Sequence, residues 1–264
     1  MNYNWNWGIF FELSPDGCHT YLQTLQVYAY VTCGGVSKLT LGGTGWTLAT
    51  ALTAWCLALG LGSLVGVIRT TPYPWLVRLG NGYVELFRNI PLLVQMFLWY
   101  FVLPEVLPSA MGDWLKQLPD ASFYTAVVAL GFYTSARVAE QVRAGILSLA
   151  RGQRMAALAL GLTLPQTYGY VLLPMAYRII LPPLTSEFLN IIKNSAVALT
   201  IGLMELTARA RAMQEFTFQV FEAFTAATII YIVINIIVTF GMRWVERRTA
   251  VPGMIGAAAP VSTH

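Results

Sequence analysis

The chain has 264 residues, of which 56% are hydrophobic and only 11% are charged, with a formal net charge of +4. A soluble domain carries roughly 25% charged residues, so this composition excludes a disordered chain and argues against an ordinary soluble enzyme. The length suits about five to seven membrane spans with short loops. The three cysteines and two histidines are scattered, so we expect no disulfide framework, no metal site, no catalytic residues and no cofactor.

The first 44 residues differ from the rest of the chain and form an expected N-terminal periplasmic or interfacial segment. Residues 1–20 are rich in tryptophan and lack the basic and apolar regions of a signal peptide. We predict that they lie at the membrane–water interface, with a disordered tail as the alternative. Residues 20–37 contain glutamines, threonines and two glycines, so the segment is less apolar than a typical membrane span. We therefore predict an interfacial helix there.

Five apolar segments have the length expected of membrane spans. The predicted spans are 46–68, 89–103, 123–138, 187–204 and 223–242. Residues 138–149 are expected to continue the third helix past the membrane. Pro104 is expected to end the second span, and the pair Pro182-Pro183 to break the chain before the fourth. The fold class is therefore all-α and membrane-embedded.

Lysine and arginine are distributed unevenly between the connecting segments. Eleven of the sixteen lie in 69–88, 137–181 and 243–264, whereas the segments on the other side hold four and Lys193 lies inside a span. Because cytoplasmic loops collect positive charge, we predict a periplasmic N-terminus, a cytoplasmic loop 139–182 and a cytoplasmic C-terminus.

The loop 139–182 is too long and too apolar for a passive connection. Residues 154–160 predict a short alanine-rich helix, with Gly161 where a glycine ends helices. Thr163 can cap a further helix, and Pro174 is expected to interrupt the chain again. Since small side chains let another backbone come close, we predict that this helix docks into a groove of a partner protein. A helix lying on or re-entering the bilayer is the alternative.

This loop resembles the signature of ABC importer permeases, in which Glu-Ala-Ala is followed by a glycine and then by an apolar-x-Leu-Pro ending. Here Met155-Ala156-Ala157, Gly161 and Pro174 hold those places, with Met155 where the family often has glutamate. Further matching segments are 83–95, 140–143, 151–153, 185–187 and 193–195. The similarity covers about residues 45–248 and is closest to the permeases of polar amino acid importers for glutamate and aspartate.

The resemblance implies the type I, MetI-like permease fold over residues 45–248, with 249–264 as a cytoplasmic tail, in a bacterial inner membrane. It implies a translocation path that works by alternating access, and four kinds of partner: an ATP-binding subunit dimer, a second permease subunit that is a paralogue, a periplasmic amino acid-binding protein and membrane lipid. No Gly-Lys dipeptide occurs, so a P-loop is absent and the ATPase is expected on another chain. The residues implied in ATPase coupling are Arg154, Met155, Ala156, Ala157, Leu160, Gly161 and Pro174.

The fourth predicted span carries a polar face. At about 100° per residue, Glu187, Asn190, Lys193 and Asn194 fall within an arc of about 120°, and Ser195 follows them. A charge at membrane depth costs roughly 2.5–3.5 kcal/mol unless it faces a cavity or a partner. We therefore predict that this face lines the substrate pathway or the dimer seam, with Lys193 attracting a carboxylate. Pairing of Lys193 with Glu187 or with a neighbouring subunit is the alternative.

Glu85 and Arg88 stand three residues apart just before the second span. This spacing puts both side chains on one helix face, so an ion pair at the cytoplasmic end or a gating pair is predicted.

Two other classes of protein compete with an importer subunit. An intramembrane enzyme needs a nucleophile with a base inside a span, and both histidines lie outside the spans. A self-sufficient secondary transporter usually shows two related halves, and five spans do not divide in two. Glutamine, arginine and histidine stay open as alternative substrates of an importer.

Overall fold

The N-terminal part of the chain forms a small cap at one end of the protein. The computed structural model describes residues 5–33 and 36–249. The interfacial helix predicted over 20–37 is wrong after Leu25, where α1 (Tyr21–Leu25) ends and a strand follows. Aromatic and β-branched residues in that segment favour extended backbone. The cap contains a 3₁₀ turn at Trp7–Phe11, helix α1 (Tyr21–Leu25) and the antiparallel strands β1 (Tyr28–Cys33) and β2 (Val36–Leu41), whose register pairs Tyr28 with Leu41.

A disulfide closes this cap. Cys18 and Cys33, fifteen residues apart in the sequence, are joined by it, and Cys56 is free. The expectation of no disulfide is therefore wrong, because sequence spacing alone does not reveal that a strand returns to the residue before α1. Residues of the cap also pack on the bundle, in a cluster made of Ile9, Phe10, Tyr21, Leu25, Leu206, Ala210, Met213, Ala223 and Ala227.

The elements that follow in the described chain are helices. They are α2 (Gly43–Ile68), α3 (Pro74–Asn89), α4 (Leu92–Phe97), α5 (Leu103–Val106), α6 (Ser109–Gln117), α7 (Ala121–Ser148), α8 (Arg151–Ala159), α9 (Leu164–Gln166), α10 (Leu173–Asn194), α11 (Leu206–Thr217) and α12 (Val220–Thr249). A π-helical turn at Leu98–Val102 joins α4 to α5, and another at Thr167–Leu172 joins α9 to α10. A 3₁₀ segment, Ser195–Ile201, extends α10.

Two helices, α2 and α12, are each long and apolar enough to cross a membrane. Two bent pairs raise the number to as many as four if each pair forms one span: α3 with Leu92–Val106, bent by 100°, and Leu164–Ile201 with α11, bent by 49°. The third predicted span lies in α7, whose 28 residues also include the predicted continuation to residue 148. Each of the five predicted spans therefore coincides largely with helical backbone.

The predicted proline breaks do not occur. Pro182 and Pro183 lie inside α10, and Pro104 lies in the first turn of α5, which continues to Val106. A proline removes one backbone donor, but the freed carbonyl groups can be satisfied when neighbouring helices pack against the segment. Helix α10 has such neighbours in α7 and α12.

The most extensive helix–helix contact of the described chain joins α2 to α7. Small residues make this close approach feasible: Ala54 and Ala58 are fully buried, and a Cβ added to Gly62 would lie 2.6 Å from the Cβ of Val138 and 2.7 Å from the carbonyl oxygen of Ser135. Lipid chains are as apolar as leucine, so helices in a membrane associate through close packing of such residues. We call this contact the α2–α7 seam.

We predict that Gly62→Ala destabilises the protein, since the new methyl group meets backbone and must push α2 and α7 apart, at a cost of about 1–3 kcal/mol. The measurement is the apparent Tm of the detergent-solubilised protein, from size-exclusion profiles after heating. Gly60→Ala is the matched control on α2, because an added Cβ there has no neighbour within 4 Å. Equal Tm values for the two variants would contradict the role of the seam.

Candidate functional site

Helix α8 follows directly on the end of α7 and exposes apolar side chains. Met155 is 70% exposed and Leu160, just past the helix, is 82% exposed, whereas Ala157 is buried. Gly161 ends the helix with φ +82°, and its N–H donates to the carbonyl of Leu158. The predicted alanine-rich helix with a terminal glycine is therefore confirmed as local structure.

The segment after Gly161 leads back to the bundle. Thr163 caps α9: its backbone N–H donates to Oε1 of Gln166 at 2.8 Å. The predicted further helix is short, because the π-helical turn follows it at once. Pro174 lies exposed in the first turn of α10 and does not interrupt the chain. Arg154 is half-buried and lines a cavity of about 400 Å³ together with Tyr168.

The polar face predicted in the fourth span lies on α10 and on the residue that follows it. Lys193 is exposed, and Glu187, Asn190 and Asn194 are half-buried. Ser195 does not share this face, since its side chain is buried and its hydroxyl donates to the carbonyl of Ile192 at 2.7 Å. The four residues other than Ser195 are called the polar stripe below.

Lys193 faces a groove between α10 and α12. The groove has a volume of about 720 Å³ and is lined by apolar and polar side chains, the polar ones besides Lys193 being Thr228, Asn235, Thr239 and Arg243. Glu187, which the sequence offered as a partner for Lys193, instead lies 3.7 Å from a guanidinium nitrogen of Arg137. Within residues 5–33 and 36–249, Lys193 has no ion pair within 4.0 Å.

Glu140 on α7 contacts three arginines: one at the end of α2, one on α3 and one on α7 itself. Its Oε1 accepts from Nη2 of Arg69 at 3.0 Å and from Nη1 of Arg88 at 3.2 Å, and its Oε2 lies 4.0 Å from Nη1 of Arg143. Arg69 is buried and also donates from Nε to Oδ1 of Asn81. This arginine cluster ties α2 and α3 to α7.

The electrostatics of Glu140 follow from these neighbours. Glu140 lies beyond the predicted end of the third span at residue 138. Burial raises the pKa of its carboxyl, but the hydrogen bond from Arg69 and the charges of Arg69, Arg88 and Arg143 outweigh burial and hold the pKa below its ordinary value. Glu140 is therefore a carboxylate at neutral pH.

The predicted ion pair between Glu85 and Arg88 is wrong, because Arg88 pairs with a different carboxylate. Arg88 binds Glu140, and Glu85 forms no ion pair within 4.0 Å in the described part of the chain. A spacing of three residues permits a local pair, but the last turn of α3 brings Arg88 against α7, where a more buried carboxylate is available. Arg69 and Arg137 were not predicted from the sequence; a lone arginine at the end of each apolar run is the signal that could have indicated them.

The sequence matches the family described as "Binding-protein-dependent transport system inner membrane component" over residues 58–251. It is 46% identical over 259 residues to the glutamate/aspartate import permease protein GltJ of Escherichia coli (strain K12), covering 97% of this chain and 99% of the relative. It is 36% identical to the probable glutamine ABC transporter permease protein GlnM of Bacillus subtilis (strain 168), covering 76% of this chain and 89% of the relative.

The fold is similar to that of solved ABC transporters. A chain of the structure titled "Crystal structure of an amino acid ABC transporter with histidines" has a TM-score of 0.65 and 31% identity, covering 78% of this chain and 92% of that one. An inward-facing MetNI methionine ABC transporter has a TM-score of 0.67 at 20% identity, which supports the fold alone, and covers 79% of this chain and 95% of that one. The chain thus belongs to the family of multi-pass inner-membrane permease subunits of ABC importers, which are transport subunits rather than enzymes and work with a separate ATP-binding subunit and a substrate-binding protein.

Proposed function

We propose that this permease carries an acidic amino acid, glutamate or aspartate, across the inner membrane. The observation that supports it most is the 46% identity with a glutamate/aspartate import permease over nearly the full length of both chains. The glutamine permease relative is 36% identical and matches only 76% of this chain. Glutamine is the second candidate substrate. The similarity to this probable glutamine permease favours glutamine over arginine or histidine.

The path is proposed to open and close through α8. Its exposed apolar residues, including Met155 and Leu160, suit a groove on an ATP-binding subunit, and α8 follows α7 with little intervening chain. Closure of the two ATP-binding subunits then moves α8 and, with it, the cytoplasmic ends of α7 and α10. The residues proposed for this coupling are Arg154, Met155, Ala156, Ala157, Leu160, Gly161 and Pro174.

The N-terminus is proposed to lie in the periplasm and the C-terminus, with the tail 249–264, in the cytoplasm. The disulfide between Cys18 and Cys33 supports this orientation, because disulfides persist in oxidising compartments such as the periplasm. The excess of arginine and lysine in the segment that contains α8 supports it independently. Residues 1–44 then form the periplasmic or interfacial segment, and 45–248 form the transmembrane domain.

The polar stripe of α10 is proposed to line the substrate pathway between two permease subunits, the second of which is a paralogue. Lys193 is exposed on the protomer, with Glu187, Asn190 and Asn194 half-buried beside it, and a single chain surrounded by lipid would not tolerate that exposed charge. Ser195 supports the pathway only through the backbone it stabilises. Lipid covers the remaining apolar faces.

The proposed substrate is tested with the permease reconstituted in liposomes together with its paralogue, its ATP-binding subunit and its binding protein. We expect glutamate and aspartate to stimulate ATP hydrolysis and to enter the liposomes, whereas arginine and histidine do neither. Stimulation by glutamine without stimulation by either acidic amino acid would replace the proposed substrate with the second candidate.

We further predict that Lys193→Ala abolishes uptake while the assembled complex still purifies intact. The substitution removes the exposed positive charge of the stripe, so a carboxylate in the pathway loses its attraction. The readout is uptake of radiolabelled glutamate. Lys116→Ala is the control, since Lys116 pairs with Glu105 at 2.7 Å outside the pathway and its loss should leave uptake unchanged. Wild-type uptake by Lys193→Ala would remove Lys193 from the pathway.

A further inference from the structure

Arg137 and Glu187 face each other as opposite charges without a hydrogen bond between them. Nη1 of Arg137 lies 3.7 Å from Oε2 of Glu187, beyond hydrogen-bond distance. Oε2 of Glu187 is buried and has no hydrogen-bond partner within the described residues. On the other side, Nη2 of Arg137 donates to the hydroxyl of Tyr133 at 2.6 Å, and its guanidinium lies 4.8 Å from the centre of that ring. Tyr133 thus fixes the guanidinium while its carboxylate partner stays incompletely satisfied.

Both residues line one polar cavity. The cavity has a volume of about 520 Å³ and is lined by Arg88, Arg137, Glu140, Gln141, Ala144 and Glu187. Glu140 is already held by three arginines, so its charge is more than neutralised. The lining itself has two positive and two negative side chains, and Arg69 and Arg143, which contact Glu140 from outside the lining, add an excess of positive charge that favours an anionic ligand.

Glu187 belongs both to this cavity and to the polar stripe of α10. Glu187 begins the polar stripe, and Lys193 lies six residues further along the helix, about 9 Å away at 1.5 Å per residue. The cavity therefore lies next to the face that is proposed to line the substrate pathway.

Resting on the proposed function, we propose that Arg137 and Glu187 recognise the acidic amino acid in this cavity. Glu187 accepts the α-ammonium group, and Arg137 binds the side-chain carboxylate. The guanidinium presents two N–H groups that match a carboxylate in a bidentate pair, whereas a side-chain amide offers one acceptor and no charge. Arg137 is thus a specificity-determining residue that discriminates glutamate from glutamine.

The test measures direct binding of L-glutamate and L-glutamine to the purified permease–ATPase complex by calorimetry, without the binding protein, whose own selectivity would mask the effect. We expect Arg137→Gln to lower the preference for glutamate over glutamine by about tenfold or more, equivalent to about 1.4 kcal/mol. Arg137→Lys, which keeps the charge but loses the bidentate geometry, should retain part of the preference. Glu187→Gln should weaken both ligands to a similar extent, since both carry the α-ammonium group.

Arg211→Gln serves as the matched control, because Arg211 forms an exposed pair with Glu215 on α11 and should bind both ligands as the wild type does. An unchanged preference in Arg137→Gln, or an equal loss of both ligands, would overturn the role of Arg137. A wild-type complex that hydrolyses ATP in response to glutamate, yet binds glutamate no better than glutamine, would also overturn it. A wild-type assembly that responds to neither acidic amino acid would overturn the proposed function instead.

Discussion

Close packing of small residues between α2 and α7 is the constraint on which the rest of the structure depends. In lipid, burial of apolar side chains between helices offers little gain, so the helices must approach until backbone and side chains interlock. Gly62 and Gly66 allow this, since a Cβ at either position would overlap Val138 or Val142. With α7 fixed in this way, its last turns carry both the arginine cluster and the connection to α8.

The charged residues of α7 follow from that position. Arg69 at the end of α2 is buried, so it must have a carboxylate partner, and Glu140 lies across the seam to provide one. Removal of Glu140 would leave the buried guanidinium of Arg69 without this carboxylate. The role of Glu140 is therefore structural, because it holds the end of α2 against α7. Arg137, one turn earlier on α7, donates to the hydroxyl of Tyr133 and has only a loose ionic contact with Glu187, which is why it is proposed to bind the substrate.

The apolar runs and the helix-ending glycine were predictable, because they depend on local rules of length and backbone conformation; Gly161 has the positive φ that its position predicts. Contacts between distant segments of the chain could not be predicted. In the cap, Cys18 is bonded to Cys33 because a strand that was not predicted brings the two cysteines together. Arg88 forms its ion pair with Glu140 on α7 and not with Glu85 on α3. Tertiary proximity decided these cases, and single-sequence patterns carry no information on it. The polar stripe was found from periodicity alone, since its residues lie on one helix.

The central claim is that α8 lies in the cytoplasm and contacts an ATP-binding subunit, and Leu160 tests it most directly because its side chain is 82% exposed. Leu160→Cys would be introduced with Cys56→Ser, which removes the free cysteine, and labelled with a membrane-impermeant maleimide. The account predicts labelling in inside-out vesicles, no labelling in spheroplasts and protection when the ATP-binding subunit is present. Labelling in intact spheroplasts would contradict it.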